Sequence, residues 1–319
     1  MVARLASPEL AMPEPTDVEV GTVYRILGKE VSVRTDSKTF ACSLRGRLFT
    51  GDGSGERNQL AVGDRVELTP LSSSKGVIHA VLPRSTAIVR QVGKRKLSLQ
   101  VLAANVDQIV IVSALERPRF KVGLIDRFLV IAHDASIAAA LCLNKIDLGD
   151  DQALVEARAE LELYRTLGYP VIFTSAKTEA GHDELRALLK DKRSVLTGHS
   201  GVGKSKLAAA IQPGLHLSSA GVDRHGKGRH TTTASTLFSL DFGGELVDTP
   251  GVRELSLGHI ERRKLAEGFI EFRPLLHQCH FASCSHIPEP HCAVKEAVED
   301  KKIARKRYDS YCRLYEELG

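Results

Sequence analysis

Between Val18 and Pro83 apolar and polar residues alternate in short runs such as Val18-Glu19-Val20, Val31-Ser32-Val33 and Arg65-Val66-Glu67-Leu68. Turn-rich stretches, among them Gly51-Asp52-Gly53-Ser54-Gly55 and Val62-Gly63-Asp64, divide them. A period of two sends alternate side chains to opposite faces, so the pattern predicts short strands rolled into a small antiparallel barrel. An OB-type barrel is the natural candidate, and other five-stranded β-domains fit the alternation equally well. After Arg84 the texture changes. Val106 to Val112 is an almost continuous apolar run, as suits a strand covered on both faces. Further strands are predicted at Leu141–Leu143, Val171–Phe173 and Ser194–Thr197, and helices at Ile125–His133, Ala153–Leu167, Asp183–Lys190 and Lys204–Ala210. Strands alternating with helices imply a parallel sheet covered on both faces. Thr236–Leu240 and Glu245–Val247 read as a hairpin around Gly243-Gly244. The expected organisation is a disordered tail (1–17), a barrel (18–84), an α/β domain (85–263) and a Cys/His-rich domain with a basic C-terminal helix (264–319).

Composition adds limits. With 43% hydrophobic and 26% charged residues, the 319-residue chain can fill a real core. Its 44 basic and 39 acidic residues leave a net charge of +5, a mild lean towards an anionic partner. No stretch approaches the roughly 18–20 apolar residues of a membrane span, and Met1 to Thr16 has no apolar core of a secretory signal. Cys42, Cys142 and Cys312 are scattered, whereas Cys279, Cys284 and Cys292 surround His286. Without an export signal a disulfide framework is not expected, and the default setting is a reducing cytoplasm.

The chemistry lies in short motifs. Gly198-His199-Ser200-Gly201-Val202-Gly203-Lys204-Ser205 matches G-x-x-x-x-G-K-S/T, placed between a predicted strand and a predicted helix. Such a loop turns backbone N–H groups around phosphate oxygens at a helix N-terminus. Lys204 would reach the β- and γ-phosphates, serving binding and catalysis, and Ser205 would ligate Mg²⁺. Asn144-Lys145-Ile146-Asp147 follows a predicted strand. The Asp147 carboxylate can accept from guanine N1–H and the 2-amino group together, a donor pair adenine lacks; buried there, it would discriminate strongly. Asn144 would brace the loops and the Lys145 stem would lie over sugar and base. Ser175-Ala176-Lys177 closes the next strand, where backbone N–H groups can contact guanine O6. In Asp248-Thr249-Pro250-Gly251, Asp248 would hold Mg²⁺ through water and the Gly251 N–H would bind the γ-phosphate. Upstream, one of Thr231, Thr232 and Thr233 would complete the metal shell. Val252 follows Gly251 where a water-orienting glutamine often stands, so the nearest candidate for that task is His230. Cys279, Cys284 and Cys292 with His286 offer a closed, tetrahedral, structural Zn²⁺ set, for which His280 and His291 are alternative imidazoles.

The order is unusual. The base-reading motifs precede the phosphate loop, and the threonine loop and D-T-P-G follow it. In G-H-S-G-V-G-K-S, N-K-I-D, G-R-H-T-T-T, D-T-P-G-V-R-E-L and the Cys/His cluster, residues 18 to 318 resemble the ribosome small-subunit-dependent GTPases, a circularly permuted bacterial family. The resemblance implies an OB-fold, a permuted P-loop GTPase domain and a C-terminal zinc domain. It further implies a GTP phosphohydrolase stimulated by the small ribosomal subunit and acting in late small-subunit maturation. It assigns His230 as the catalytic residue and favours His286 as the fourth zinc ligand. The implied partners are the small subunit and its rRNA, with GTP or GDP, Mg²⁺ and one Zn²⁺; a cytoplasmic monomer is expected. Basic residues at Lys94–Lys96, Arg224–Arg229, Arg262–Lys264 and in the tail, with Tyr308, Tyr311 and Tyr315, are candidate rRNA contacts. A P-loop ATPase and a GTP-sensing RNA-binding module with little turnover are the alternatives.

Overall fold

The computed structural model describes residues 18–44, 60–92, 98–215, 217, 234–249 and 257–319. His230, Thr231, Thr232, Thr233 and Gly251 lie outside these residues, as do the 1–17 tail, Lys94–Lys96, Arg224–Arg229 and Val252.

The alternating N-terminal segment forms β1 (Glu19–Leu27), β2 (Glu30–Arg34), β3 (Thr39–Leu44), β4 (Arg65–Pro70) and β5 (Lys75–Val81). β1 pairs with β2, β2 with β3, β3 in parallel with β5, β5 with β4, and β4 back with β1, which closes the OB-type barrel. Inward positions spaced by two, Val31 and Val33, Phe40 and Cys42, Val66 and Leu68, fill it with Val23 and Ile78. A two-stranded ribbon follows, β6 (Ala87–Val92) with β7 (Ser98–Ala104), an element the hydrophobic pattern did not predict.

The α/β unit contains β8 (Gln108–Ala114), α1 (Val122–Asp134), β9 (Ala138–Asn144), α2 (Asp151–Thr166), β10 (Val171–Phe173), α3 (His182–Leu189), β11 (Arg193–Thr197) and α4 (Lys204–Ile211). The hairpin β12 (Ser235–Ser239) and β13 (Glu245–Asp248) completes it. All of β8 is buried, which explains its run of Ile and Val; each such side chain contributes about 1.5–3 kcal/mol on burial. Strand order is β10-β9-β8-β11-β13-β12; the first five run parallel and β12 antiparallel. β1 then pairs with β12, matching Arg25 to Thr236 and Ile26 to Ser235, so barrel and α/β unit share one sheet. Side chains reinforce this seam: Arg34 and Arg193 both pair with Glu245, and Arg193 Nη1 donates to Gly63 O at 2.9 Å.

The C-terminal region has short 3₁₀ turns at Arg262–Gly268 and Arg273–Leu275, then α5 (Ala293–Glu299) and α6 (Arg305–Glu317). The region lacks a long apolar run, a composition from which metal binding is expected to hold together what packing cannot. Packing contributes more than that. Leu265, Phe269, Phe272, Val294, Tyr311 and Leu314 share one core cluster with Ile125, Phe128 and Leu129 of α1. Tyr311 meets Phe269 and Phe272 edge-on, with ring centroids 5.5 and 5.2 Å away. Arg307 was a candidate phosphate contact, but it is 1% exposed. Its guanidinium pairs with Asp126 of α1 and grips Glu271 bidentately at 2.6 and 3.0 Å, while Tyr164 of α2 donates to Asp126 at 2.6 Å. Burial disfavours the arginine charge, yet Glu271 and Asp126 hold Arg307 above its ordinary pKa. Removing one member of a buried pair strands the others, so Arg307→Ala should cost about 3–5 kcal/mol in urea unfolding. A loss below about 1 kcal/mol would show that the network does not couple α1 to α6.

Candidate functional site

The carboxyl ends of the parallel strands gather the motifs at one edge, where open α/β sheets bind ligands. In register, Ala114 of β8 is level with Asn144 of β9, Leu143 with Phe173 of β10, and Thr197 of β11 with Ile111 of β8. Asn144-Lys145-Ile146-Asp147 and Ser175-Ala176-Lys177 therefore leave the neighbouring strands β9 and β10, and Gly198–Ser205 leaves β11, one strand away across β8. β13 ends at Asp248 beside β11, with Val195 matched to Val247.

Gly198 has φ +131°, and a Cβ there would lie 2.0 Å from the Val112 carbonyl oxygen, so only glycine lets the loop leave β11 this close to β8. The chain turns through His199, Ser200, Gly201, Val202 and Gly203 before α4 begins at Lys204, and Ser205 is half-buried in its first turn. Lys204 is 6% exposed and donates from Nζ to Gly198 O at 2.6 Å and His199 O at 2.9 Å, which places the ammonium inside the loop.

Asn144 is 1% exposed and ties three loops together. Its Nδ2 donates to Val202 O at 2.9 Å in the phosphate loop. Its Oδ1 accepts from Ala176 N and Thr174 Oγ1, both at 3.3 Å, at the Ser-Ala-Lys turn. Lys145 has a left-handed backbone (φ 61°) and donates from Nζ to Arg117 O in the β8–α1 loop. Burial, with the charges of Lys206 and Arg117, lowers the Lys145 pKa. Asp147 is exposed, not buried as the sequence reading assumed; any enclosure must come from what binds over it. Ser175 Oγ, itself on a fully buried residue, donates to Asp147 Oδ1 at 2.6 Å and so orients the carboxylate.

The Cys/His cluster is compact. Cys279, Cys284, His286 and Cys292 bring one ligand atom each within 4.8 Å of one another. Cys279 Sγ lies 3.8 Å from Cys292 Sγ, and His286 Nδ1 lies 3.4 Å from both sulfurs. A tetrahedron with Zn–S of about 2.3 Å and Zn–N of about 2.0 Å has edges of about 3.8 and 3.5 Å, so this donor set fits zinc. His280 and His291 are exposed and pack against each other outside the set, 6.1 Å between centroids. Burial pushes the Cys284 thiol up to about 12, so a thiolate there requires a compensating cation. Glu289, which no spacing rule singled out, accepts from Ser285 N at 3.0 Å and Ile287 N at 3.2 Å and shapes the ligand loop. Burial opposes its ionisation, but these hydrogen bonds hold its carboxyl down to about 2. Tyr308 and Tyr311 donate to His286 O and Ser285 O, both at 2.7 Å, so the tyrosine stripe of α6 supports the ligand loop.

A parallel sheet whose base-side loops precede its glycine-lined phosphate loop defines the class, a circularly permuted P-loop GTPase fold. The model of the RsgA GTPase family matches residues 81–258, and the chain belongs to that family. A Chlorobaculum tepidum protein named Small ribosomal subunit biogenesis GTPase RsgA is 41% identical over 310 residues, 94% of this chain and 98% of that protein. The protein of the same name from Thermotoga maritima is 41% identical over 278 residues, covering 87% of this chain and 88% of its own length. Among solved structures, YjeQ from Thermotoga maritima superposes with a TM-score of 0.78 at 38% identity, over 94% of this chain and 98% of that one. YloQ, described as a circularly permuted GTPase, gives 0.73 at 30% identity over 98% of both chains.

The contact distance at Gly198 sets a test. Gly198→Ala would drive a methyl into the Val112 carbonyl and should destabilise the protein by about 2 kcal/mol or more in thermal or urea melts. An unchanged melt would show that this approach of β8 and β11 is not tight.

Proposed function

We infer that this chain is a GTPase of small ribosomal subunit biogenesis, and propose that docking on the small subunit and its rRNA stimulates its turnover. The observation that carries the GTPase reading is the Asn144 side chain, which joins two base-side loops to the phosphate loop. Relatives with that printed function, at 41% identity across nearly the whole chain, supply the biological setting.

In the proposed mechanism, backbone N–H groups of Gly198 to Ser205 cradle the phosphates and the Lys204 ammonium draws charge from the β- and γ-oxygens. Asp147 accepts from guanine N1–H and the 2-amino group, the Ala176 N–H, which donates to Asn144 Oδ1 at 3.3 Å, would share its hydrogen with O6, and Lys145 would cover the sugar. Ser205 in the first turn of α4 and, through water, Asp248 at the end of β13 would supply oxygen donors, a set that suits Mg²⁺, and one of Thr231, Thr232 and Thr233 would complete it. When bound, the metal neutralises charge on the transferring phosphoryl group. The hairpin supports this assignment: Thr236 of β12 is level with Asp248 of β13, so the chain enters β12 at the end of the hairpin where β13 finishes on Asp248. His230, one residue before those threonines, would orient the attacking water. Cys279, Cys284, His286 and Cys292 would hold one structural Zn²⁺, with all four positions filled by protein.

For rRNA the proposal uses exposed cations: Arg25, Lys29, Lys38 and Lys75 on the barrel and Lys301, Lys302 and Arg313 near the C-terminus. Arg307 is excluded by its burial, and Lys295 is engaged with Ile287 O and Glu289 O. The proposed units remain the barrel (18–84), the permuted GTPase (85–263) and the zinc domain (264–319), acting as a cytoplasmic monomer. No helix among the described residues is long and apolar enough to cross a membrane.

GTP turnover measured alone, with purified small subunits and with large subunits tests the reading. Small subunits should raise the rate at least tenfold above either control, a change of about 1.4 kcal/mol in barrier. Equal rates in all three would favour a nucleotide-sensing binding module. Metal analysis should find one zinc per chain, and its removal should expose the Cys279–Cys292 loop to thiol reagents; cysteines in this loop that react equally fast before and after zinc removal would contradict the assignment.

A further inference from the structure

His182 belongs to no motif, yet it is a buried titratable side chain directly beneath the Ser-Ala-Lys turn. It opens α3 and is 4% exposed. The preceding Gly181 has φ +70°, and a Cβ there would lie 2.1 Å from the Phe173 carbonyl oxygen. α3 therefore starts hard against the end of β10, and the His182 ring reaches back under the turn. Its Nε2 lies 3.0 Å from the Ser175 carbonyl oxygen. A carbonyl can only accept, so Nε2 carries the hydrogen and donates.

The Ser175 carbonyl and the Ala176 N–H belong to one planar peptide group and point in opposite directions. Pinning the carbonyl from below fixes where that N–H is aimed, which is along the Asn144 Oδ1 side of the site at 3.3 Å. The same residue's hydroxyl donates to Asp147 Oδ1 at 2.6 Å and accepts from Lys177 N at 3.2 Å and Thr178 N at 3.1 Å. One imidazole thus anchors the residue that orients both proposed base-reading groups.

We propose that His182 is a positioning residue for guanine recognition, holding the Ser175–Ala176 peptide so that Ser175 Oγ aims the Asp147 carboxylate at the purine and the Ala176 N–H, shared with Asn144 Oδ1, lies beside it. The inference rests on the guanine reading of Asp147 and Ala176 made above. His182 touches no substrate atom itself. Its influence is on which base binds, since its contact is with the base-side turn.

The test uses the full chain, with GDP and ADP titrations and a thermal melt for each variant. Wild-type protein should prefer GDP. His182→Leu removes the donor and should weaken GDP binding about tenfold, the cost of an unpaired buried carbonyl, while ADP binding stays unchanged. His182→Gln places an amide N–H at similar reach and should restore most of the preference. If His182→Leu does not fold, His182→Asn, whose amide falls short of the carbonyl, should show the same selective loss. A GDP-over-ADP ratio that remains at the wild-type value in the Leu or Asn variant overturns the proposal. So does an equal loss for both nucleotides, which marks a general folding role. Wild-type protein with no preference for GDP overturns the guanine reading itself, and that result is seen before any variant is made.

Discussion

The buried carboxamide of Asn144 is the constraint on which the proposed nucleotide site depends. Its two ends are chemically different, so a single side chain can hold a carbonyl of the phosphate loop with one and an N–H of the Ser-Ala-Lys turn with the other. With 1% of the residue exposed, water cannot substitute for either partner. The three loops come from β9, β10 and β11, which are distant in sequence but nearly adjacent in the sheet. What the sheet brings together, Asn144 fixes in register.

Strand adjacency also explains why permuted chain order leaves the site intact. Loops at one edge of a parallel sheet depend on which strands are neighbours, and the order in which the chain visits those strands does not enter. Permutation changes what is attached to the site. The β12–β13 hairpin, which carries Asp248, is flanked by β11 on one side and by barrel strand β1 on the other. The chain leaving β13 enters the C-terminal region, and that region packs back on α1 through the Phe269, Phe272 and Tyr311 cluster and the Arg307 ion pairs. The barrel is thus hydrogen-bonded to the hairpin that bears Asp248, and the Cys/His region is packed on α1 of the same α/β unit. Such wiring would suit the proposed stimulation of turnover by a docked partner.

Much of this was readable before the structure, for physical reasons that differ by element. The barrel strands announced themselves by alternation, because one face is core and the other is not. β8 announced itself by the absence of alternation, because both faces are covered. The phosphate loop was readable because glycines are obligatory where a Cβ would strike Val112 O. The β6–β7 ribbon was missed since Ala87–Val92 and Ser98–Ala104 mix apolar and polar residues without a clean period. Arg307 read as solvated because charge is usually outside, and the acids that neutralise it, Asp126 and Glu271, are 181 and 36 residues away. His182 carried no signal at all, since its role depends on α3 starting directly beneath a turn. The cysteine spacing proposed four ligands but left the imidazole open among three histidines; geometry selects His286.

Structure determination of the protein with GDP and Mg²⁺ bears most directly on the claim that three loops form one guanine-nucleotide site. The account predicts the diphosphate inside the Gly198–Ser205 turn, the guanine edge on Asp147 and Ala176, and the Asn144–Val202 hydrogen bond retained. A nucleotide bound elsewhere, or one bound in the phosphate loop with its base turned away from Asp147, would contradict it.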